Sequence, residues 1–133
     1  MSLLKNEWRL ELLPTLEAIE KFCVEFRLWR EKTCAGLDAF SGELLLREAL
    51  TNSVVHGCSE DSSKRVWCVI RAKVGRVVIA IWDEGDGFDW RAAWNRESDL
   101  SDDRGRGLEI FRCYASSVRF NPKGDAVVLI KKF

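Results

Sequence analysis

The chain has 133 residues, 47% of them hydrophobic and 32% charged, with only two prolines, which is the composition of a soluble globular protein. Lys plus Arg equals Asp plus Glu at 21 each, so no long-range field draws the protein to nucleic acid or an anionic membrane, and any anion site must be built locally. The length fits one domain, taken as residues 1–133, that buries roughly two-thirds of its unfolded surface.

The N-terminal "MSLLKNEWRLELL" meets polar residues too early for a signal-peptide apolar region, and no apolar run approaches the ~20 residues needed to cross a bilayer. A cytoplasmic location is therefore expected. "EWRLELLP" reads as a short first strand ended by Pro14. "TLEAIEKFCVEFRLWREKTC" places Leu16, Ile19, Phe22, Cys23, Phe26 and Trp29 at helical spacing, and Gly36 breaks the pattern. Ser41 is the candidate cap of the next helix, without a capping box because Leu44 stands three residues on. "SGELLLREALTNSVVHG" is dense in helix formers and stops at Gly57.

After the polar loop "CSEDSSK", the run "RVWCVIRAKVGRVVIAIWDEG" predicts two long strands turning at Val74-Gly75. Trp67 and Val69 fall on one strand face, Cys68 and Ile70 on the other, and the partner strand is apolar from Val77 to Trp82. Both faces of the sheet centre are thus coverable, one by helices and the other by a partner or a second copy. From Phe88 to Arg104 the sequence is polar and irregular, with Asp99, Asp102 and Asp103 among arginines. "GLEIFRCYAS" predicts a short helix beginning just after two glycines, and "SVRFNPKGDAVVLIKKF" a last hairpin turning at 121–125. The sum is an α/β two-layer sandwich, a mostly antiparallel sheet with about three helices on one face. Five widely spaced cysteines (Cys23, Cys34, Cys58, Cys68, Cys113), no C-x-x-C and a single histidine argue against zinc and for reduced thiols.

Three short constellations carry chemistry. In "REALTNSVVHG", Glu48, Asn52 and His56 recur at steps of four and form a slowly drifting helical row, opposite a packing row of Leu46, Leu50 and Val54. Geometry alone favours a solvated outer side, yet Asn is a poor mid-helix residue because its amide competes with backbone hydrogen bonds. "DEGDG", Asp83 to Gly87, follows an apolar strand, where a fixed carboxylate could accept a bond from an exocyclic amine and Gly85 and Gly87 let a flat ring approach. Alone, it reads more readily as a plain glycine turn after a strand. "RGRGLEIF" places Arg104, Gly105, Arg106 and Gly107 at a helix start, where free N–H groups and the helix dipole favour an anion.

E-x-x-x-N on a helix, then D-x-G-x-G-F after a strand, then G-x-G-L opening a helix, resembles the nucleotide-binding motifs of the GHKL (histidine-kinase-like) ATPase and kinase superfamily. The short length and the form "LREALTNSVVHG … IWDEGDGFD … GRGLEIF" look most like the anti-sigma-factor serine kinases, and the likeness runs from about Arg9 to the end. The resemblance implies a Bergerat-type ATP-binding fold, with ATP and Mg²⁺ as cofactors. It implies Glu48 as catalytic base and Asn52 as the Mg²⁺ ligand. It further implies Asp83 as acceptor of the adenine amine, with Gly85 and Gly87 lining the base. Residues 90–104 would form a lid, and Arg104, Gly105, Arg106 and Gly107 would cradle the phosphates.

The implied partners are an anti-anti-sigma antagonist protein, phosphorylated on serine, and an RNA polymerase sigma factor, with a homodimer expected from relatives. The implied partner switch runs on phosphorylation: unphosphorylated antagonist occupies the kinase and frees sigma, and phosphorylated antagonist lets go. One departure stands out. Relatives usually carry threonine just after the glycine of the last hairpin, where this chain has Gly124-Asp125-Ala126, so an adenine contact is missing or altered.

Other functions fit the same motifs. A nucleotide-responsive binding module with little or no kinase activity is one, and a switch kinase acting on a scaffold protein is another. A detached histidine-kinase catalytic domain fits less well, since the lone His56 lies inside the candidate metal-binding helix and no phosphoacceptor helix pair is expected before it. His56 reads better as a structural residue near a helix end than as a catalytic one.

Overall fold

The computed structural model describes residues 6–87, 89–95 and 106–133. Strands β1 (Glu7–Leu12), β2 (Val66–Lys73), β3 (Arg76–Asp83), β4 (Ser117–Phe120) and β5 (Ala126–Lys132) form one antiparallel sheet in the order β1-β2-β3-β5-β4. The described helices are α1 (Leu16–Thr33), α2 (Ala39–Thr51), α3 (Trp90–Asn95) and α4 (Arg106–Tyr114), and α2 runs directly into a π-helical turn at Asn52–Gly57. This is the expected α/β sandwich, with every strand pairing antiparallel.

The period-2 pattern of the first hairpin sorts its residues as expected. Val66, Cys68, Ile70, Val77, Ile79 and Ile81 are at most 1% exposed and join the helices in one core. Val74-Gly75 makes the two-residue turn between Lys73 and Arg76, and Gly75 takes a positive φ (72°) that a residue with a side chain would adopt only with strain. On the other face the cross-strand pair Trp67 and Trp82 stacks with ring centroids 6.2 Å apart, and Trp82 and Val128 remain more than a third exposed.

Helix α1 is capped by Thr15, whose hydroxyl accepts from the Ala18 N–H (3.0 Å), and it buries Ile19, Phe22, Cys23 and Phe26. The cap of α2 differs from expectation. Asp38, not Ser41, holds that position: its carboxylate accepts from the Ser41 N–H (2.9 Å) and hydroxyl (2.5 Å). A carboxylate at a helix N-terminus also meets the positive end of the dipole, so Asp38 outcompetes a serine that α2 buries. Leu46, Leu50 and Val54 are fully buried, as their row predicts.

Two further expectations shift. The stretch read as irregular after residue 88 contains α3, because Trp90 and Trp94, one helical turn apart, both pack on Phe120 of β4 (centroids 5.2 and 6.5 Å). Six residues are too few for a periodic signal, whereas the aromatic packing is a tertiary effect. Helix α4 begins at Arg106, so Gly107 lies within its first turn and not before it. Leu108 and Phe111 anchor α4 in the core, against α2.

Candidate functional site

Asp83, the last residue of β3, is buried at 7% exposure where the end of the α2 helix meets the sheet. Its Oδ1 accepts the Gly85 N–H at 2.8 Å, and the Ser53 hydroxyl donates to the same carboxylate. Two glycines make room for it. A Cβ at Gly57 would lie 2.6 Å from Asp83 Oδ2 and 2.7 Å from Oδ1, and a Cβ at Gly85 would overlap the Gly57 carbonyl oxygen. Gly57 reads in the sequence only as a helix stop, yet no other residue fits beside this carboxylate.

The π turn is what brings this group together. The Cys58 N–H bonds back to the Ser53 carbonyl (2.8 Å), five residues earlier, and not to Val54 as an α-helix would. This wider turn is the kind of local irregularity that clusters at functional sites. It buries Ser53, Val54 and Gly57 while His56, the third member of the helical row, is exposed.

Asn52, Ser53, Gly57, Asp83, Asp125, Gly124, Phe120, Ala49, Ala126 and Val127 line one narrow cleft between the helix end and the last hairpin. Its water-accessible part is no larger than about one water molecule, so a ring can enter only if the walls part. The loop after β3 and the hairpin turn press together, since a Cβ at Gly87 (φ 80°) would overlap the Lys123 carbonyl oxygen. Asn121 holds the turn: its Oδ1 accepts from the N–H groups of Gly124, Asp125 and Ala126 at 2.8, 3.0 and 3.1 Å.

The sequence-selected residues divide accordingly. Asn52 and Asp83 face the cleft. Half-buried Glu48 stands one turn before Asn52, outside the cleft lining, and makes no side-chain hydrogen bond or ion pair among the described residues. Gly85 and Gly87 do not line the cleft; one supports Asp83 from behind and the other packs on Lys123. Arg106 and Gly107 open α4, while Arg104 and Gly105 lie outside the described residues, as does most of the stretch read as a lid. Ser53 and Phe120 carried no signal in the sequence, because each acts through contacts between distant segments; Asn121 read only as the start of the last turn, whose N–H groups it gathers locally.

Burial pushes the Asp83 carboxyl above the usual carboxylate range. The Gly85 N–H and the Ser53 hydroxyl pull it back, the nearby Asp125 adds to the rise, and Lys123 opposes it. Burial also raises Glu48, with Arg47 opposing. An acidic side chain shifted upward is the state expected of a proton acceptor working near neutral pH. Asn52 offers one hard amide oxygen with no competing hydrogen bond among the described residues. No cluster of three His, Cys, Asp or Glu able to hold a metal occurs among those residues. Such a donor set suits Mg²⁺ arriving with phosphate and water ligands, and does not suit a resident protein-caged ion.

A model of the family described as the histidine kinase-like ATPase domain matches residues 12–131. Among solved structures, a similar one is the histidine kinase domain of the blue-light activated histidine kinase from Erythrobacter litoralis EL346. It shares 23% identity and a TM-score of 0.51 over 71% of this chain. The match spans 44% of that protein's chain, and at this identity it speaks for the fold alone. A search of curated proteins found no match.

Proposed function

We infer that this chain, which belongs to the histidine kinase-like ATPase domain family, is an ATP-dependent protein serine kinase that also sequesters a sigma factor. The observation that carries the reading is the pairing of buried Asp83 with Asn52 across one cleft, with a half-buried Glu48, without a partner among the described residues, a turn away. Asp83 accepts a hydrogen bond from the base, and its supports Gly57, Gly85 and Ser53 fix the carboxylate's direction. Phe120, Ala126 and Val127 give the ring an apolar wall. Asn52 holds Mg²⁺, which when bound with nucleotide offsets phosphate charge. Glu48 takes the proton of a serine hydroxyl on the antagonist protein as that oxygen attacks the γ-phosphate.

Replacing Glu48 by Gln tests this assignment. Phosphate transfer from ATP to a serine-bearing antagonist domain should fall by roughly 10²- to 10⁴-fold while ADP affinity stays within about twofold. In the unmodified protein the rate should fall as pH drops through the raised Glu48 pKa. An unchanged rate in Glu48→Gln sinks the base assignment.

One feature favours a second reading, a nucleotide-responsive binding module with little transfer activity. Asp125 places a second carboxylate in the cleft, which works against tight binding of an adenine nucleotide. We also place a second copy of the chain on the outer sheet face, where Trp67, Trp82 and Val128 leave an apolar surface. Sizing at micromolar concentration should give the dimer mass, shifted to the monomer by Trp82→Glu; a monomer before mutation refutes it.

A further inference from the structure

The end of the sheet remote from the cleft has a chemistry of its own. Asp83 closes β3 beside the cleft, and the strand begins at Arg76, roughly 23 Å away. The register sets Lys73 opposite Arg76 and Arg76 opposite Lys132, so three cations occupy the end row of neighbouring strands. All three are exposed, and none forms an ion pair among the described residues. The connection between α1 and α2 closes on the same end. A Cβ at Gly36 would lie 3.0 Å from the Phe133 ring, and the Phe133 N–H donates to the Gly75 carbonyl at 2.9 Å. That brings in Lys32, from the last turn of α1, and Lys131. Of the acids on these segments, Glu7 is buried between Arg9 and Arg71, Asp38 caps α2 near Lys131, and Glu31 is exposed.

Apolar side chains stand among these cations. Val74, on the turn of the first hairpin, is fully exposed at 103%, Phe133 beside it is 44% exposed, and Phe40, in the first turn of α2, is 64% exposed. Single apolar residues scattered over a surface need no explanation, but these three stand on segments that converge on one end. Cations alone would suit any polyanion. The combination suits the boundary of an anionic bilayer, where headgroup charge meets Lys and Arg and the acyl margin accepts apolar side chains. A phosphate backbone makes no use of Val74, and a fully exposed side chain on a turn does not line a groove for a protein partner.

We propose that this end of the molecule is a peripheral contact for anionic lipid bilayers, with Lys73, Arg76 and Lys132 at the headgroups and Val74 and Phe133 at the acyl margin. The cleft lies at the opposite end of β3, so a bilayer seated here leaves it open to solvent. The apolar patch at Trp67 and Trp82 is roughly 20 Å further along the same strands, which leaves room for both contacts.

The test is co-sedimentation of the full chain with vesicles of phosphatidylserine and phosphatidylcholine in about a 1:2 ratio, against phosphatidylcholine alone. Binding to the anionic vesicles only, weakening as salt rises, is expected. Each cation near such a surface is worth about fivefold in partition, so Lys73→Gln combined with Arg76→Gln should lower it roughly 25-fold. Val74→Ser, at a position the fold leaves fully exposed, should lower it severalfold with every charge intact. No binding to anionic vesicles, or equal binding to both kinds, overturns the proposal. Binding that Val74→Ser leaves unchanged, with retention on heparin that the charge variant loses, overturns it too and assigns the patch to soluble polyanions. Should a variant fail to fold, the lipid and salt dependence of the unmodified chain still decides.

Discussion

Gly57→Ala isolates the contact on which the site depends. The added Cβ would stand 2.6–2.8 Å from the Asp83 carboxylate, where ordinary contact begins at 3.4 Å, so the carboxylate must retreat by about 0.8 Å. Such a displacement takes it out of register with the Gly85 N–H, now at 2.8 Å, since a bond stretched towards 3.6 Å is no longer one. Crowding of this kind costs about 1–3 kcal/mol, and removing a helical glycine returns roughly 0.5–1 kcal/mol, so the fold should lose only about 0.5–2 kcal/mol. Binding suffers more: loss of a hydrogen bond to a charged acceptor costs about 1.5–3 kcal/mol, or roughly 10- to 150-fold in Kd. Calorimetric titration with nucleotide diphosphate and Mg²⁺ measures the second effect, and thermal denaturation the first. The cycle with Asp83→Ala supplies the decisive comparison. With the carboxylate removed the Cβ has space, so Gly57→Ala should add almost nothing to the loss from Asp83→Ala. Additive losses, or a Gly57→Ala protein that binds normally, would refute the reasoning.

Two other outcomes follow from the same geometry. Asp83 has a folded pKa raised above its unfolded 3.8, so the native state holds the proton more tightly and stability declines as pH rises through that window. Glu48 acts in the same direction, whereas Asp38, Glu43 and Asp61, all lowered, act oppositely. Subtracting an Asp83→Asn variant cancels these others: denaturant melts at pH 4 and pH 7 should show the unmodified protein losing ground to the variant as pH rises, and a pH-independent difference contradicts the burial argument. For Asn52→Ala, the affinity that Mg²⁺ adds over EDTA should vanish while metal-free binding persists; a retained metal effect removes Asn52 from the ligand set.

Much of this was written locally in the chain. The hairpin of β2 and β3 follows from two long apolar runs flanking Val74-Gly75, and α1 from its apolar spacing. Asn52 stood out because its amide is out of place mid-helix, whereas Glu48 and Asp83 could be picked out only through the order of three motifs that resembles the histidine-kinase-like ATPases. What stayed hidden depended on other segments. The π turn has no periodicity signature over six residues, so extending an α-helical row to His56 put a surface residue beside Asn52. Ser41 was read as the cap of α2, but the helix buries Ser41 and Asp38 takes the cap, a choice decided by packing. Gly85 and Gly87 read in the sequence as places where a flat ring could approach; in the fold, backbone of this chain at Gly57 and Lys123 comes close to them.

That last point ties stability to function in this fold. Asp83 is held by the helix end through Ser53 and Gly57, and by its own strand through Gly85. The facing wall is held by Asn121, whose backbone carbonyl also accepts the Trp90 indole N–H (2.8 Å) from α3. Parting the cleft walls to admit a ring must therefore move the hairpin turn against the loop at Gly87, and the turn is bonded to α3. Packed contacts of this kind shift between discrete arrangements more readily than they deform smoothly. On the proposed nucleotide-binding reading, a base seated at Asp83 and the position of α3 would be two ends of one mechanical connection, through Asn121. A ligand can bias α3 only by the difference in its affinity for the open and closed turn, and Asp125, seated in that turn, contributes directly to the difference.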